Sequence, residues 1–227
     1  MFALQRTPEW HKERRGKLTA SVAGAAIGVN PYQTPLALYK QLTGLVEFSG
    51  NFMTQYGTNN EPNGLLEYSI MSRTEVVPTG FHVHKTLPWL GGSPDGLVGD
   101  KGLVEVKCPF GNKKPMWEDY TIPLQYFVQV QVLMEVTDRE WCDLIAWRPN
   151  EQRVWRFLRD RDFMQGILPA MANFHAAISM EERVNNMLDQ GMIEHCRFAM
   201  QTSMRTPSWV SGVKVKGGQP LYSELHL

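Results

Sequence analysis

The chain has 227 residues, enough for one α/β domain that buries its own core, and no apolar run approaches membrane-spanning length. Its 23 basic side chains match 23 acidic ones, so net charge does not indicate a polyanionic partner, and a nucleic-acid surface would need locally segregated charge. Three cysteines without paired spacing, Cys108, Cys142 and Cys196, argue against a disulfide framework and against a zinc site. We therefore expect a cytoplasmic protein without a membrane partner.

Helical patterns dominate the chain up to about residue 70. A basic and aromatic segment at 10–17, WHKERRGK, has the composition of a nucleic-acid contact, and an apolar helix is predicted after it at 22–28. Thr19 or Ser21 can cap that helix, whose free N–H groups would suit a phosphate. The alternative is that Ser21 is only a cap and that Arg14 lies on a solvated helix face.

The next predicted elements lead to the most informative segment of the chain. They comprise two helices and then three strands, at 36–42 and 61–71 and at 74–84, 88–98 and 102–108. The segment GGSPDGLVGDKGLVEVKCPF at 91–110 predicts a β-hairpin, because turn residues at 99–102 separate two β-favouring runs.

Two carboxylates and a lysine converge in this predicted hairpin. Side chains alternate along a strand, so Glu105 and Lys107 share a face, and Asp95 lies at the head of the preceding strand. Mg²⁺ takes oxygen ligands, typically one or two carboxylates with phosphate and water, which Asp95 and Glu105 can supply. Lys107 can then orient or deprotonate a water. The Glu105–Lys107 pair alone is more typical of a solvated strand face, but the addition of Asp95 at hairpin spacing favours a phosphodiester-cleaving nuclease.

The remaining elements complete an α/β pattern. A helix at about 122–135 precedes two strands at 141–147 and 153–158, which share a turn at 149–150, and a long helix is predicted at about 161–187. A second basic cluster lies in this region, at Arg148, Arg153, Arg156, Arg159 and Arg161. The pattern fades after about residue 191, and we assign no role to that tail.

Four ordered blocks between Trp10 and Trp147 resemble the lambda-exonuclease and YqaJ-type viral recombinase family of PD-(D/E)xK nucleases. The blocks are WHKERRGKLTAS, YGTNNEP, GGSPDG with LVEVKCPF, and YFVQVQ. The resemblance implies an α/β, restriction-endonuclease-like core in which helices flank a central mixed sheet. It also implies one nuclease domain over 1–227, with a helical phosphate-gripping part at about 1–70, a catalytic core at about 74–160 and a C-terminal helix and tail at about 161–227.

The resemblance also assigns roles to individual residues. The catalytic set would be Asp95, Glu105 and Lys107, and the metal ligands would be Glu61, Asp95, Glu105 and the carbonyl of Val106. The 5′-phosphate pocket would be Arg14, Ser21, Ser93 and Gln129. Without the family, Glu61 is better explained as an exposed residue in a first helical turn, and Gln129 as a polar position of an amphipathic helix.

The function implied is a 5′→3′ exonuclease that uses one or two Mg²⁺ ions per site, with Mn²⁺ as a substitute. It would degrade the 5′-phosphorylated strand of linear double-stranded DNA and leave 3′ single strands for phage-type recombination by annealing. The implied partners are two further copies in a homotrimeric ring and a single-strand annealing protein, in the cytoplasm of a bacterial host of a phage or prophage.

Two alternatives stay open at this point. The same metal core serves endonucleases and junction resolvases, which would cut closed circles. A non-catalytic DNA-end-binding loader would bind linear DNA without releasing nucleotides. A metal site at His82 and His84, which share one face of a predicted strand, is disfavoured because no third ligand is evident.

Overall fold

The computed structural model describes residues 5–47, 52–111, 116–119, 121–180, 184 and 186–210. Its helices are α1 Pro8–Arg14, α2 Ala20–Ala26, α3 Pro35–Leu42, α4 Phe52–Ser72, α5 Leu124–Thr137, α6 Arg161–Met180 and α7 Gln190–Ser203. Its strands are β1 Leu18–Thr19, β2 Val76–Val77, β3 His82–Val83, β4 Leu90–Gly92, β5 Gly96–Val98, β6 Gly102–Lys107, β7 Trp141–Arg148, β8 Glu151–Leu158 and β9 Met204–Arg205.

A six-stranded mixed sheet forms the centre of the fold. Its strand order is β2-β5-β6-β7-β8-β9, and β6 and β7 run parallel while the other neighbours are antiparallel. The parallel pair is joined through α5, as parallel neighbours require a crossover. Hydrophobic clusters cover both faces, one containing α5 residues and the other containing Tyr68 of α4. Helices therefore flank a central mixed sheet, and the expected fold class is confirmed.

The two strands predicted before residue 99 are each divided between two sheets. A smaller sheet, ordered β1-β4-β3, contains β3 and β4, whereas β2 and β5 belong to the large sheet. Proline has no N–H to donate to a ladder, so Pro78 interrupts the first predicted strand and Pro94 the second. Asp95 consequently lies where the chain passes from the small sheet to the large one.

Several helix boundaries differ from the predicted ones. The helix predicted at 61–71 begins at Phe52, and Pro62 is accommodated inside it. Packing explains its path, because a Cβ on Gly64 would lie 2.5 Å from Val106 Cγ1, so only glycine allows this approach to the sheet. The helix predicted at 22–28 begins at Ala20, so Ser21 lies inside it and is not the cap. Thr19 occupies the N-cap position but makes no side-chain capping bond.

The C-terminal half contains both a confirmed hairpin and an element that the sequence pattern did not predict. Strands β7 and β8 meet at the predicted turn, where Asn150 has φ +67°. Helix α6 ends at Met180, and residues 181–183 and 185 of the longer predicted helix lie outside the described residues. The tail assigned no role contains α7 and the edge strand β9, with residues from 211 onward outside the described part.

The three cysteines are free thiols, with Cys142 and Cys196 buried. Among the described residues, no helix is both long and apolar enough to cross a bilayer.

Candidate active site

The predicted catalytic residues meet at one end of β6. Strands β5 and β6 pair antiparallel with Gly96 opposite Val104, which brings the preceding Asp95 beside the C-terminal half of β6. The Asp95 carboxylate accepts a hydrogen bond of 2.7 Å from the backbone N–H of Val106. This bond fixes the carboxylate on the strand that carries the second acid.

Glu105 is the most deeply buried member of the site. Its side chain accepts hydrogen bonds at Oε1 from Lys107 Nζ at 2.8 Å and from Gln129 Nε2 at 2.6 Å. Its other oxygen, Oε2, is buried and has no hydrogen-bond partner among the residues that the structure describes. A buried carboxylate oxygen without a donor is costly unless a cation or water satisfies it, so this atom is a candidate ligand position.

Helix α5 supplies a residue that the sequence analysis missed. Tyr126 lies one turn before Gln129, and its ring centroid is 5.0 Å from Lys107 Nζ. The aromatic face therefore borders the ammonium group that also donates to Glu105. The i, i+3 spacing of Tyr126 and Gln129 on one helix was the available signal.

The site concentrates negative charge in a poorly solvated place. Burial, followed by the charges of Glu105 and Glu61, raises the pKa of Asp95 well above its usual range. Burial also raises the pKa of Glu105, although the Lys107 ammonium opposes the shift. Burial alone would lower the pKa of Lys107, but the carboxylates of Glu105 and Asp95 outweigh it and raise the value. Lys107 is therefore a cation at neutral pH in this state.

Glu61 lies near the two acids but is held by another partner. Its Oε2 pairs with Arg6 Nη2 at 2.5 Å, and the neighbouring Gln5 donates to the carbonyl of Pro94 at 2.8 Å. Within the described residues, no group of three or more histidine, cysteine, aspartate or glutamate side chains is arranged to hold a metal ion. The structure thus brings Asp95 and Glu105 together, with Glu61 at their border in an ion pair that the sequence did not reveal.

A cavity gives solvent access to this border. It has a volume of about 470 Å³, and its lining includes Gln5, Glu61, Thr79 and Asp95. Small ligands and chain ends bind in such concave sites, so this opening is a candidate entrance to the acids.

The four residues expected to bind a 5′ phosphate are distributed around α1, α2, β4 and α5. Arg14 and Ser93 are linked through Trp10, whose ring lies 4.0 Å from the Arg14 guanidinium and whose N–H donates to Ser93 Oγ at 2.8 Å. Ser21 is exposed, and its Oγ lies 3.2 Å from Thr19 Oγ1. The fourth residue, Gln129, is directed at Glu105 instead.

The second basic cluster is largely committed to internal ion pairs. Arg156 binds the buried Asp143 through two nitrogens, at 2.7 and 2.8 Å. Arg159 binds Glu135 and Asp138. These two arginines are therefore structural in this state and are not available to DNA.

The histidine pair has separate hydrogen-bonding roles. The His82 ring lies 2.7 Å from Thr79 Oγ1. His84 accepts the backbone N–H groups of Thr86 and Leu87 at one nitrogen, and its other nitrogen lies 3.4 Å from Glu135. Hydrogen bonds to other protein groups thus account for the position of both rings.

Comparison with known proteins assigns the chain to one family. Residues 9–140 match the model of the YqaJ-like viral recombinase domain. Protein R354 of Acanthamoeba polyphaga mimivirus is 25% identical over 210 residues, covering 86% of this chain and 38% of that protein. Protein YqaJ of Bacillus subtilis (strain 168) is 30% identical over 137 residues, covering 59% of this chain and 43% of that protein. The chain thus spans less than half the length of these two relatives.

Solved structures give the same result for the fold. The alkaline exonuclease LHK-Exo from Laribacter hongkongensis is 30% identical with a TM-score of 0.63, covering 77% of this chain and 94% of that one. Its complex with dAMP matches with a TM-score of 0.64. A phage-related exonuclease from Haemophilus somnus 129PT shares the fold at 16% identity and a TM-score of 0.57, covering 73% of this chain and 96% of that one. The chain belongs to the family of YqaJ-like viral recombinase domains.

Proposed function

We propose that this protein is a metal-dependent 5′→3′ exonuclease that degrades the 5′-phosphorylated strand of linear double-stranded DNA. The product would be a 3′ single strand suited to recombination by annealing. The observation that carries the proposal is the buried, unpartnered Oε2 of Glu105 beside Asp95 and Lys107. The similarity to an alkaline exonuclease supports the same reaction class.

The donor set fits a hard divalent cation. Asp95 and Glu105 supply carboxylate oxygens, the Val106 carbonyl lies between Glu105 and Lys107 in the chain, and Glu61 stands at the border. Mg²⁺ commonly uses one or two protein carboxylates and completes its shell with water and substrate phosphate, so two acids suffice. When bound, one or two such ions would stabilise charge on phosphate oxygens and acidify a water. Mn²⁺ would substitute in the same oxygen set.

The protein side chains around these acids have separate roles. Gln129 holds Glu105 through Oε1, which leaves Oε2 free to act as a ligand. Lys107 is cationic beside both acids and can orient a water or the scissile phosphate through its N–H groups. Tyr126 restricts where that ammonium can move. Water would attack the phosphorus in line and lose its proton to solvent, while the bond to the leaving 3′ oxygen breaks and that oxygen takes up a proton from solvent.

The direction of degradation is attributed to a terminal-phosphate pocket. Arg14 and Ser93 both contact Trp10, and together with Ser21 they would bind the 5′-terminal phosphate. Gln129 was expected in this group, but its amide hydrogen bonds to Glu105 in the free protein, so we propose that it connects the pocket to the acids. Binding the 5′ end there would place the next phosphodiester at Asp95 and Glu105.

A substrate comparison tests this function directly. Linear duplexes with 5′-phosphate or 5′-hydroxyl ends, and covalently closed circles, are incubated with and without Mg²⁺, and the products are identified. We expect Mg²⁺-dependent release of mononucleotides from 5′-phosphorylated ends and intact circles. Cut circles would establish an endonuclease instead, and end binding without nucleotide release would establish a loader.

We also propose the assembly that the resemblance implies, a homotrimeric ring that works beside a single-strand annealing protein. A closed ring stays on its DNA and so supports processive degradation. Sedimentation equilibrium of the purified chain should give three times the monomer mass. A monomer at all concentrations that retain full processivity would contradict the ring.

A further inference from the structure

Trp10 of α1 contacts two of the residues proposed to bind the terminal phosphate. Its indole N–H donates to Ser93 Oγ at 2.8 Å, across 83 positions of the chain. Its ring lies under the guanidinium of Arg14, with Arg14 Cζ 4.0 Å from the ring centroid. One side chain therefore fixes both a hydroxyl from the β4–β5 junction and an arginine from α1.

The first contact determines what Ser93 can do. An indole N–H only donates, so Ser93 must use an oxygen lone pair to accept it. The hydroxyl hydrogen of Ser93 is then available for an acceptor on another side, such as a phosphate oxygen. Without the indole N–H, the hydroxyl would rotate freely among local partners.

The second contact orients Arg14. Stacking on an aromatic face leaves the N–H edge of a guanidinium free for two parallel hydrogen bonds to an oxyanion. Arg14 is partly buried, and no hydrogen bond or ion pair of its guanidinium exists within the described residues. An arginine held in this way, with no counter-ion in the part of the chain that the structure describes, is suited to an incoming anion.

We propose that Trp10 is the positioning residue of the terminal-phosphate pocket, aligning the Ser93 hydroxyl and the Arg14 guanidinium for one phosphate monoester. The inference rests on the proposed function, because it concerns the recognition of a 5′-phosphorylated end. It differs from a purely structural role, in which Trp10 would only anchor α1 to the small sheet and its loss would lower stability alone.

The test uses the ratio of degradation rates on 5′-phosphate and 5′-hydroxyl duplexes in Mg²⁺. Trp10→Phe keeps an aromatic face for Arg14 but removes the N–H, so the ratio should fall about fivefold. Trp10→Leu removes both contacts, so the ratio should fall about tenfold or more, towards that of Arg14→Ala. The matched control is Trp89→Phe, because Trp89 stacks on His175 and, among the described residues, shares no hydrogen bond or cation–π contact with Ser93 or Arg14, and its ratio should equal that of the wild type.

A double variant separates positioning from anchoring. In a Ser93→Ala background, Trp10→Phe should change the ratio no further, since the N–H has lost its acceptor. If Trp10→Phe fails to fold, a benzothienylalanine at position 10, which replaces the N–H with sulfur at nearly the same shape, provides the same comparison.

The outcomes distinguish the inference from the function on which it rests. A lower unfolding temperature with an unchanged ratio in Trp10→Phe, while Arg14→Ala erases the preference, would show an anchor and overturn the inference alone. Equal wild-type rates on both kinds of end would overturn the phosphate pocket and the inference together, whereas Mg²⁺-dependent nucleotide release would remain a separate result.

Discussion

The two faces of the central sheet each contain a buried carboxylate, and only one of them is fully satisfied. Asp143 of β7 accepts hydrogen bonds from Tyr68 at 2.8 Å and from two nitrogens of Arg156. Glu105 of the neighbouring β6 has two donors on one oxygen and none on the other. Asp143 is thus surrounded by donors, whereas Glu105 keeps one oxygen free of donors, as the proposed binding of a cation requires.

The charges around Asp143 are balanced, whereas those around Glu105 are not. Asp143 has one arginine in bidentate contact, so the pair is balanced, and the ring of Trp141 lies 3.7 Å from Arg156 Cζ. Glu105 shares its site with Asp95, with Glu61 close enough to raise the pKa of both. Excess negative charge in a poorly solvated site costs stability in the free protein and favours a divalent cation.

The largest expected effect is on catalysis by the residues around Glu105. Asp95→Asn and Lys107→Ala should each lower the rate of nucleotide release by about a thousandfold or more, because each removes a group that stabilises the reacting phosphate. Gel analysis of end-labelled linear duplexes, with circular dichroism as the folding control, measures the effect. Wild-type rates in either variant would remove that residue from the catalytic set.

A smaller catalytic effect is expected at the border of the site. Glu61→Gln should lower activity by about ten- to a hundredfold, since Glu61 adds to the negative field but pairs with Arg6 in the free protein. A Mg²⁺ titration of the initial rate should show a higher half-saturating concentration. A loss as large as that of Asp95→Asn would show that Glu61 is a ligand of equal importance.

Amide substitution should affect stability at Asp143 and catalysis at Glu105. Asp143→Asn should destabilise the fold by about 3 kcal/mol, because it removes the buried charge that pairs with the partly buried Arg156. Glu105→Gln should abolish cleavage while changing stability much less. Urea unfolding and the rate per folded molecule separate the two effects, and equal stability losses would contradict the distinction.

The smallest predicted effect is on the pH dependence of stability. The pKa of Asp95 is raised in the folded state, so the folded protein binds the proton more tightly than the unfolded one. Stability from this group is therefore complete below a pH of about 4 and is lost as the pH rises through the raised pKa. Asp95→Asn should be more stable than the wild type by about 1 kcal/mol at neutral pH, with the difference shrinking as the pH falls to about 4.

Thermal unfolding over that pH range measures the difference. Mg²⁺ should raise the unfolding temperature of the wild type at neutral pH more than that of Asp95→Asn, because a ligand of the native state stabilises it. If the stability difference between the wild type and Asp95→Asn did not change with pH, ionisation of Asp95 would be excluded as its cause.

The sequence allowed the catalytic segment to be predicted because its information is local. Asp95, Glu105 and Lys107 lie within 13 positions, and hairpin alternation alone places the last two on one face. Pro94 could also have marked the strand break, since a proline interrupts a ladder. The mixed sheet followed from the family resemblance rather than from these patterns.

The contacts that the sequence did not reveal are long-range. Trp10 and Ser93 are 83 positions apart, and Arg6 and Glu61 are 55 apart, so nothing local relates them. The sequence pattern predicted a helix that begins at Glu61, but packing of α4 on the sheet accommodates Pro62 inside a helix that begins at Phe52.

The most direct test is the anomalous scattering of crystals soaked in Mn²⁺. We predict an ion coordinated by Asp95 and by the Oε2 of Glu105, with Gln129 still donating to Oε1. Both carboxylates ordered without an ion between them, in crystals of protein that degrades DNA in Mn²⁺, would contradict the central claim.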